Sequence, residues 1–134
     1  MVMMGFTVPG AIESIRSGKK ITTIRVANPK REASIRASGR YDLYWKPRTK
    51  ECELIGRYPL VSMRPYDFSN PEELSHEDWC LANYKIAIKD GFDSAEAMLD
   101  WFWDKYGFDF LDIKFTIHEW DPKRPIEWEP RRVA

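Results

Sequence analysis

Ile21 to Val26 reads Ile-Thr-Thr-Ile-Arg-Val, and five of its six residues are β-branched. Such a run resists helix and packs well on a pleated sheet, so it anchors the chain to a fold with strands. Side chains alternate along a strand, which sets Thr22, Ile24 and Val26 on one face and Ile21, Thr23 and Arg25 on the other. The Ile24/Val26 face is the expected core face, and Thr23 and Arg25 then border whatever space lies opposite. Gly18, Lys19 and Lys20 come just before this strand. A hydroxyl, a guanidinium and an ammonium thus gather at one place, a set that suits an anion or a nucleotide. A solvated strand edge behind a lysine loop accounts for the same residues.

The rest of the chain reads as α+β. Pro9-Gly10 opens a short helix over Ala11 to Ser17, and Gly18 closes it. Asn28 to Ser38 is basic and lacks an apolar period, so a loop around Pro29 is expected. From Arg40 to Lys46, Tyr41, Leu43 and Trp45 alternate with Asp42, Tyr44 and Lys46, the pattern of a strand. A turn over Pro47 to Glu51 leads to a long strand region, Cys52 to Met63, with Pro59 marking an edge or a bulge. Ser75 and Asp78 form a capping pair for a helix to about Lys89, with Trp79, Ala82 and Ile86 inward. Asp90-Gly91-Phe92 breaks it. Asp93 and Glu96 then open a second helix, Ser94 to Tyr106, with a stripe of Ala95, Met98, Leu99, Phe102 and Tyr106. Trp101 and Trp103 flank that stripe as core or rim. Leu111, Ile113, Phe115 and Ile117 alternate with Asp112, Lys114, Thr116 and His118, which predicts a strand with one buried and one wet face.

At 134 residues the chain fits one domain, placed at 1–120, with 121–134 as a partly ordered tail. No apolar run approaches the roughly 20 residues of a membrane span. The first nine residues lack the basic start of a signal peptide. Cys52 and Cys80 stand apart without a ligand spacing, so a reduced, cytoplasmic protein with no metal and no cofactor is the expectation. Formal net charge is +0. Residues 16–50 hold 11 Lys and Arg against two acids, whereas residues 51–134 hold 10 against 18. That split is the signature of a localised polyanion site; surface pairing between the two halves produces it as well.

The order of these elements, with Gly18-Lys19-Lys20-Ile21-Thr22-Thr23-Ile24-Arg25 and Asp90-Gly91-Phe92 as its marks, resembles the ASCH domain family over about residues 8–118. Ile21 stands where the family usually has threonine, and Gly39-Arg40 where many members have Gly-Asp. The resemblance implies a PUA-like β-barrel of mostly antiparallel strands with flanking helices, and a cleft between barrel and helices that serves RNA or a nucleoside. Some bacterial members hydrolyse the amide of acetylated cytidine. Matched by motif, their lysine, threonine and carboxylate fall on Lys20, Thr23 and Asp90, where aspartate replaces a longer glutamate.

The chemistry of such a set is coherent. A threonine hydroxyl is a weak nucleophile until a base takes its proton. A desolvated lysine beside Arg25 has a depressed pKa and suits that work. A buried carboxyl would protonate the leaving amine. Strand parity sets Lys20 out of phase with Thr23, so Lys20 must lie in the turn before the strand for them to meet. Asp90 as a simple helix-end carboxylate is the competing reading. Binding of RNA or a nucleotide would use Lys19, Lys20, Arg25, Tyr44, Lys46 and Arg48, with Tyr44 stacking on a base. A tyrosine in such a strand is also commonly just half-buried. His76 and His118 are far apart in sequence, and His118 falls on the wet side of its strand.

Overall fold

A computed structural model describes residues 2–70 and 72–127. Five strands form one sheet in the order β1-β3-β4-β5-β2. They are β1 (Met3–Phe6), β2 (Thr22–Val26), β3 (Arg40–Trp45), β4 (Glu53–Tyr66) and β5 (Phe115–Trp120). The helices are α1 (Ala11–Arg16), α2 (Pro29–Ser38), α3 (His76–Lys89) and α4 (Ala95–Tyr106), and a 3-10 helix covers Gly107–Asp112. The pairing β1–β3 is parallel and the other three pairings are antiparallel. This is the curved, mostly antiparallel sheet that the alternating segments predict, with α3 and α4 supplied from between its strands.

The sheet is covered on both sides. Inside the curl, Met4, Phe6, Ile15, Ile35, Tyr41, Leu43 and Trp120 form one buried cluster. Ile24, Phe115 and Ile117 turn the other way and pack with Ile86, Met98 and Phe102 of α3 and α4. The expected wet face of β5 is therefore absent: Thr116 is 3% exposed and His118 0%. Alternation in polarity marks which side faces which cluster, and it fails to report that both sides are covered. The Nδ1 of His118 meets the Tyr41 hydroxyl at 3.1 Å inside the curl. Leu111 belongs to the 3-10 turn, and the strand begins only at Phe115.

Other departures have local causes. Residues 29–38 are helical although apolar periodicity is missing, because caps define α2. The Asn28 side chain accepts from the Arg31 N–H at 3.1 Å, Pro29 starts the helix, and Gly39 closes it at φ 70°. Ile35 is the buried residue of this helix. The strand β4 runs through Pro59 without a break, because it changes partner there. Its first half pairs with β3 up to Pro59, and its second half with β5 from Leu60 onward. A bulge lies between Leu60 and Ser62, beside Pro59, but β4 is central and not an edge strand. Ser94, not Asp93, caps α4, accepting from the Ala97 N–H at 3.0 Å. Ser75 caps α3 as expected, at 3.1 Å from the Asp78 N–H. On α3 the buried positions are Asn83, Ile86 and Ala87, and Trp79 and Ala82 lie half-covered beside them. No helix among the described residues is long and apolar enough to cross a membrane. Of the predicted tail, residues 128–134 lie outside the described residues.

Candidate functional site

The two edge strands, β1 and β2, come close where the sheet curls round. Strand parity aims Thr23 and Arg25 into that gap, on the same side as His118 and Thr116, their partners on β5. The Arg25 guanidinium bridges the gap. It donates from Nη2 to the Gly5 carbonyl at 2.6 Å, and from Nε to Thr23 Oγ1 at 3.1 Å. Its Cζ lies 4.8 Å from the centre of the Phe6 ring. Ile24, on the opposite face, is buried in the α3/α4 cluster as expected; Val26 of the same face ends an edge strand and is 43% exposed.

Lys20 does lie in the turn before β2. Backbone bonds hold that turn: Lys20 N–H to the Ser14 carbonyl at 2.9 Å, and Ile21 N–H to the Lys89 carbonyl at 2.8 Å. The second bond ties the start of β2 to the end of α3, 68 residues along the chain, and so brings Lys20 to Asp90. The Lys20 Nζ donates to Asp90 Oδ1 at 2.7 Å and to the Asp90 carbonyl at 2.9 Å. Thr22 donates its hydroxyl to the same Oδ1 at 3.3 Å. The Lys20 and Asp90 side chains are only 14% and 6% exposed. Asp90 is thus a helix-end residue that spends its carboxylate on a lysine and a hydroxyl, not on the helix's own backbone.

Burial sets the electrostatics of this pair. It drives the Lys20 ammonium down, and Arg25 adds to that, against the attraction of Asp90. It drives the Asp90 carboxyl up, against Lys20, Thr22 and Arg25. The charged and the neutral forms of the pair are therefore drawn together in energy, which is how active sites prepare an acid and a base. Burial also lowers Arg25, to about 10.

Gly91 makes the close approach of α3 and β2 feasible. It has φ 88°, and a Cβ there would lie 3.1 Å from Lys20 Cβ. Gly91→Ala is expected to lower stability by about 1–2 kcal/mol through the strained backbone alone. A thermal melt checks this; an unchanged melting temperature would mean that the turn is not under that constraint.

Lys20, Thr23, Arg25 and Asp90 line one cleft of about 490 Å³, together with Phe6, Phe92, Trp101 and Lys105. Thr23 shares its wall with Lys20 and Asp90, and its hydroxyl oxygen is occupied by Arg25. The other expected binding residues lie elsewhere. Lys19 pairs with Asp93 at 3.5 Å in solvent. Lys46 pairs with Glu51 at 2.7 Å, and Arg57 reaches toward the Tyr44 hydroxyl at 3.5 Å. Pro47 reaches the cleft, but its neighbours Lys46 and Arg48 do not line it. The basic stretch is divided further by Arg16 with Glu53 and by Arg40 with Asp42. Sequence reasoning missed Phe6, whose strand it did not assign, and Lys105, whose position one turn after Trp101 was the available signal. It also assigned Thr22 to the core, where the hydroxyl in fact serves Asp90.

A larger groove of about 670 Å³ is lined by Arg36, Arg64 and Lys114 and also by Glu32, Asp67 and Glu72. Its charges are mixed and it holds no buried ion pair like that of Lys20 and Asp90. His76 and Cys80 approach to 3.6 Å on the first turn of α3, and among the described residues no cluster of three metal-ligating side chains forms.

The fold has structural counterparts. A crystal structure of a point-mutant form of ZmASCH from Zymomonas mobilis superposes with a TM-score of 0.54 at 20% identity, covering 92% of this chain and 68% of that one. A second mutant form of ZmASCH gives 0.51 at 20% identity, with 93% and 71% covered. No protein-family model and no curated protein matches the sequence.

Proposed function

We propose that this chain, which has the ASCH fold, is a small amidohydrolase that removes the acyl group from an acylated nucleoside of the acetylated-cytidine type. The observation that carries the reading is the buried Lys20–Asp90 pair in a nucleoside-sized cleft that Thr23 also lines. A site of this volume suits one small ligand. Phe6, Phe92 and Trp101 offer ring faces for a base. Within the basic stretch Arg16, Lys19, Lys20, Arg40 and Lys46 are held in separate ion pairs, which favours a small ligand over a long single strand of RNA.

The steps follow from the pair. Moving one proton along the 2.7 Å hydrogen bond turns the ion pair into a neutral amine and a carboxylic acid. The amine of Lys20 takes the proton of the Thr23 hydroxyl as its oxygen attacks the acyl carbon. Arg25, bonded to that oxygen, favours the developing negative charge. The carbon–nitrogen bond breaks, and the acid form of Asp90 protonates the leaving amine. Water then hydrolyses the acyl-threonine ester: the Asp90 carboxylate accepts the proton of the attacking water, the Lys20 ammonium returns a proton to the Thr23 oxygen as the ester bond breaks, and the carboxylic acid leaves. One water is consumed and one acid and one amine are released.

Thr23 tests the role of the hydroxyl. Thr23→Ser keeps the nucleophile and is expected to retain measurable release of cytidine from acetylated cytidine. Thr23→Val has nearly the same shape and is expected to lose it by a factor of roughly a hundred or more. Equal rates in the wild type and Thr23→Val would remove Thr23 from the mechanism.

A further inference from the structure

We propose that the ligand of this cleft carries a phosphomonoester, seated between Arg25 and Lys105, so that the natural substrate is a nucleotide or a phosphorylated chain end. The proposal rests on the nucleoside reading above and adds the anionic group. Three cations, Lys20, Arg25 and Lys105, line the cleft with a single acid, Asp90. Lys20 spends its charge on Asp90 at 2.7 Å. The other two have no carboxylate partner among the described residues. Arg25 donates to two neutral oxygens, the Gly5 carbonyl and the Thr23 hydroxyl.

Lys105 is exposed and bonds to nothing among the described residues. Its Nζ stands 4.8 Å from the centre of the Trp101 ring and 5.5 Å from that of Tyr106. Each free cation therefore rests on an aromatic face: Arg25 on Phe6, Lys105 on Trp101. The two line the same cleft, and burial, with a smaller push from Arg25, lowers the Lys105 ammonium. Two cations that line one cleft without a carboxylate between them favour an anion there. A phosphomonoester carries about −1.5 to −2 at neutral pH and cancels both; an internal phosphodiester carries about −1 and cancels one. Phe92, which lines the same cleft with no cation on its ring among the described residues, offers stacking surface to the base of the same ligand.

Equilibrium binding tests this without any turnover. The probes are cytidine, cytidine 5′-monophosphate, and one short oligocytidylate with and without a 5′ phosphate. The monophosphate is expected to bind the wild type about tenfold more tightly than cytidine, a gap that shrinks as salt rises. In Lys105→Gln, which loses the charge and shortens the side chain by one atom, the gap is expected to fall to about threefold or less. A 5′ phosphate that tightens the oligocytidylate beyond the mononucleotide identifies a chain end as the source; the reverse order identifies a free nucleotide. Equal affinity for cytidine and its monophosphate in the wild type would overturn the proposal. So would a gap that Lys105→Gln leaves intact, or no binding of the monophosphate at millimolar concentration. Failure of the hydrolase reading looks different: the phosphate preference and its dependence on Lys105 persist, while acetylated cytidine is not cleaved.

Discussion

Lys20→Arg is expected to keep the fold and to lose roughly a thousandfold or more of the deacylation rate on acetylated cytidine. Arginine retains the positive charge opposite Asp90 but holds its proton at any working pH, so it serves as a partner and not as a base. This variant separates chemistry from stability, which the simpler truncation does not. Lys20→Met would leave the Asp90 carboxylate buried without a cation, a change that costs about 3–5 kcal/mol where the carboxylate stays ionised. Asp90 softens that loss by taking up a proton, because burial already pushes its carboxyl upward. Removing both members, as Lys20→Met with Asp90→Asn, is expected to recover most of the stability and none of the activity. Rates near that of the wild type in Lys20→Arg would show that Lys20 is an ion-pair residue and nothing more.

The second large effect concerns acid. His118 lies wholly inside the curl of the sheet, with Nδ1 on the Tyr41 hydroxyl and Nε2 without a partner among the described residues. Burial lowers its pKa to about 4, and Arg31, Arg25 and Arg36 push the same way, against Glu32. An unfolded histidine titrates near 6.5. Above that pH the ring is neutral in both states and takes nothing from stability. As pH falls from about 6.5 to 4, the unfolded chain binds a proton that the folded chain refuses, so stability drops. The loss levels off below the folded pKa at about 3 kcal/mol. Urea unfolding at pH 7 and pH 4 measures it, with His118→Phe as the control that cannot titrate. The carboxylates contribute equally to both proteins, so the wild type should lose about 2–3 kcal/mol more than the variant over this interval. Parallel losses would mean that the ring is charged inside the sheet or open to water.

How much of this was legible in the sequence depends on where each signal lives. The β-branched run at Ile21–Val26, the Ser75 cap and the Asp90-Gly91 stop are local, and the structure has each of them in place. The helix α2 is also locally encoded, but by Asn28, Pro29 and Gly39 at its ends and not by an apolar stripe, so a reading led by periodicity misses it. Met3–Phe6 is too short for any pattern and becomes a strand only because β3 lies beside it. The burial of Thr116 and His118 depends on helices packed on one side of the sheet and the curl closing on the other. No window of the sequence contains that information. The site divides in the same way. Thr23 and Arg25 follow from strand parity, and Lys20 from the turn that precedes it. Asp90 is 70 residues away in sequence, and nothing in its own spacing ties it to Lys20; only the family resemblance points to it. Thr22 shows the limit of parity: it lies on the face turned toward the helices, as read, yet its hydroxyl bonds to the carboxylate at the centre of the site.

Product release from acetylated cytidine by the purified wild-type protein, followed across pH, tests the central claim most directly. The expected result is steady release of cytidine and acetate in equal amounts, absent in Lys20→Arg with an unchanged thermal melt. A folded wild-type protein that releases no product at any pH, yet binds single-stranded RNA with an affinity that falls steeply with salt and with Lys46→Ala plus Arg48→Ala, would contradict it.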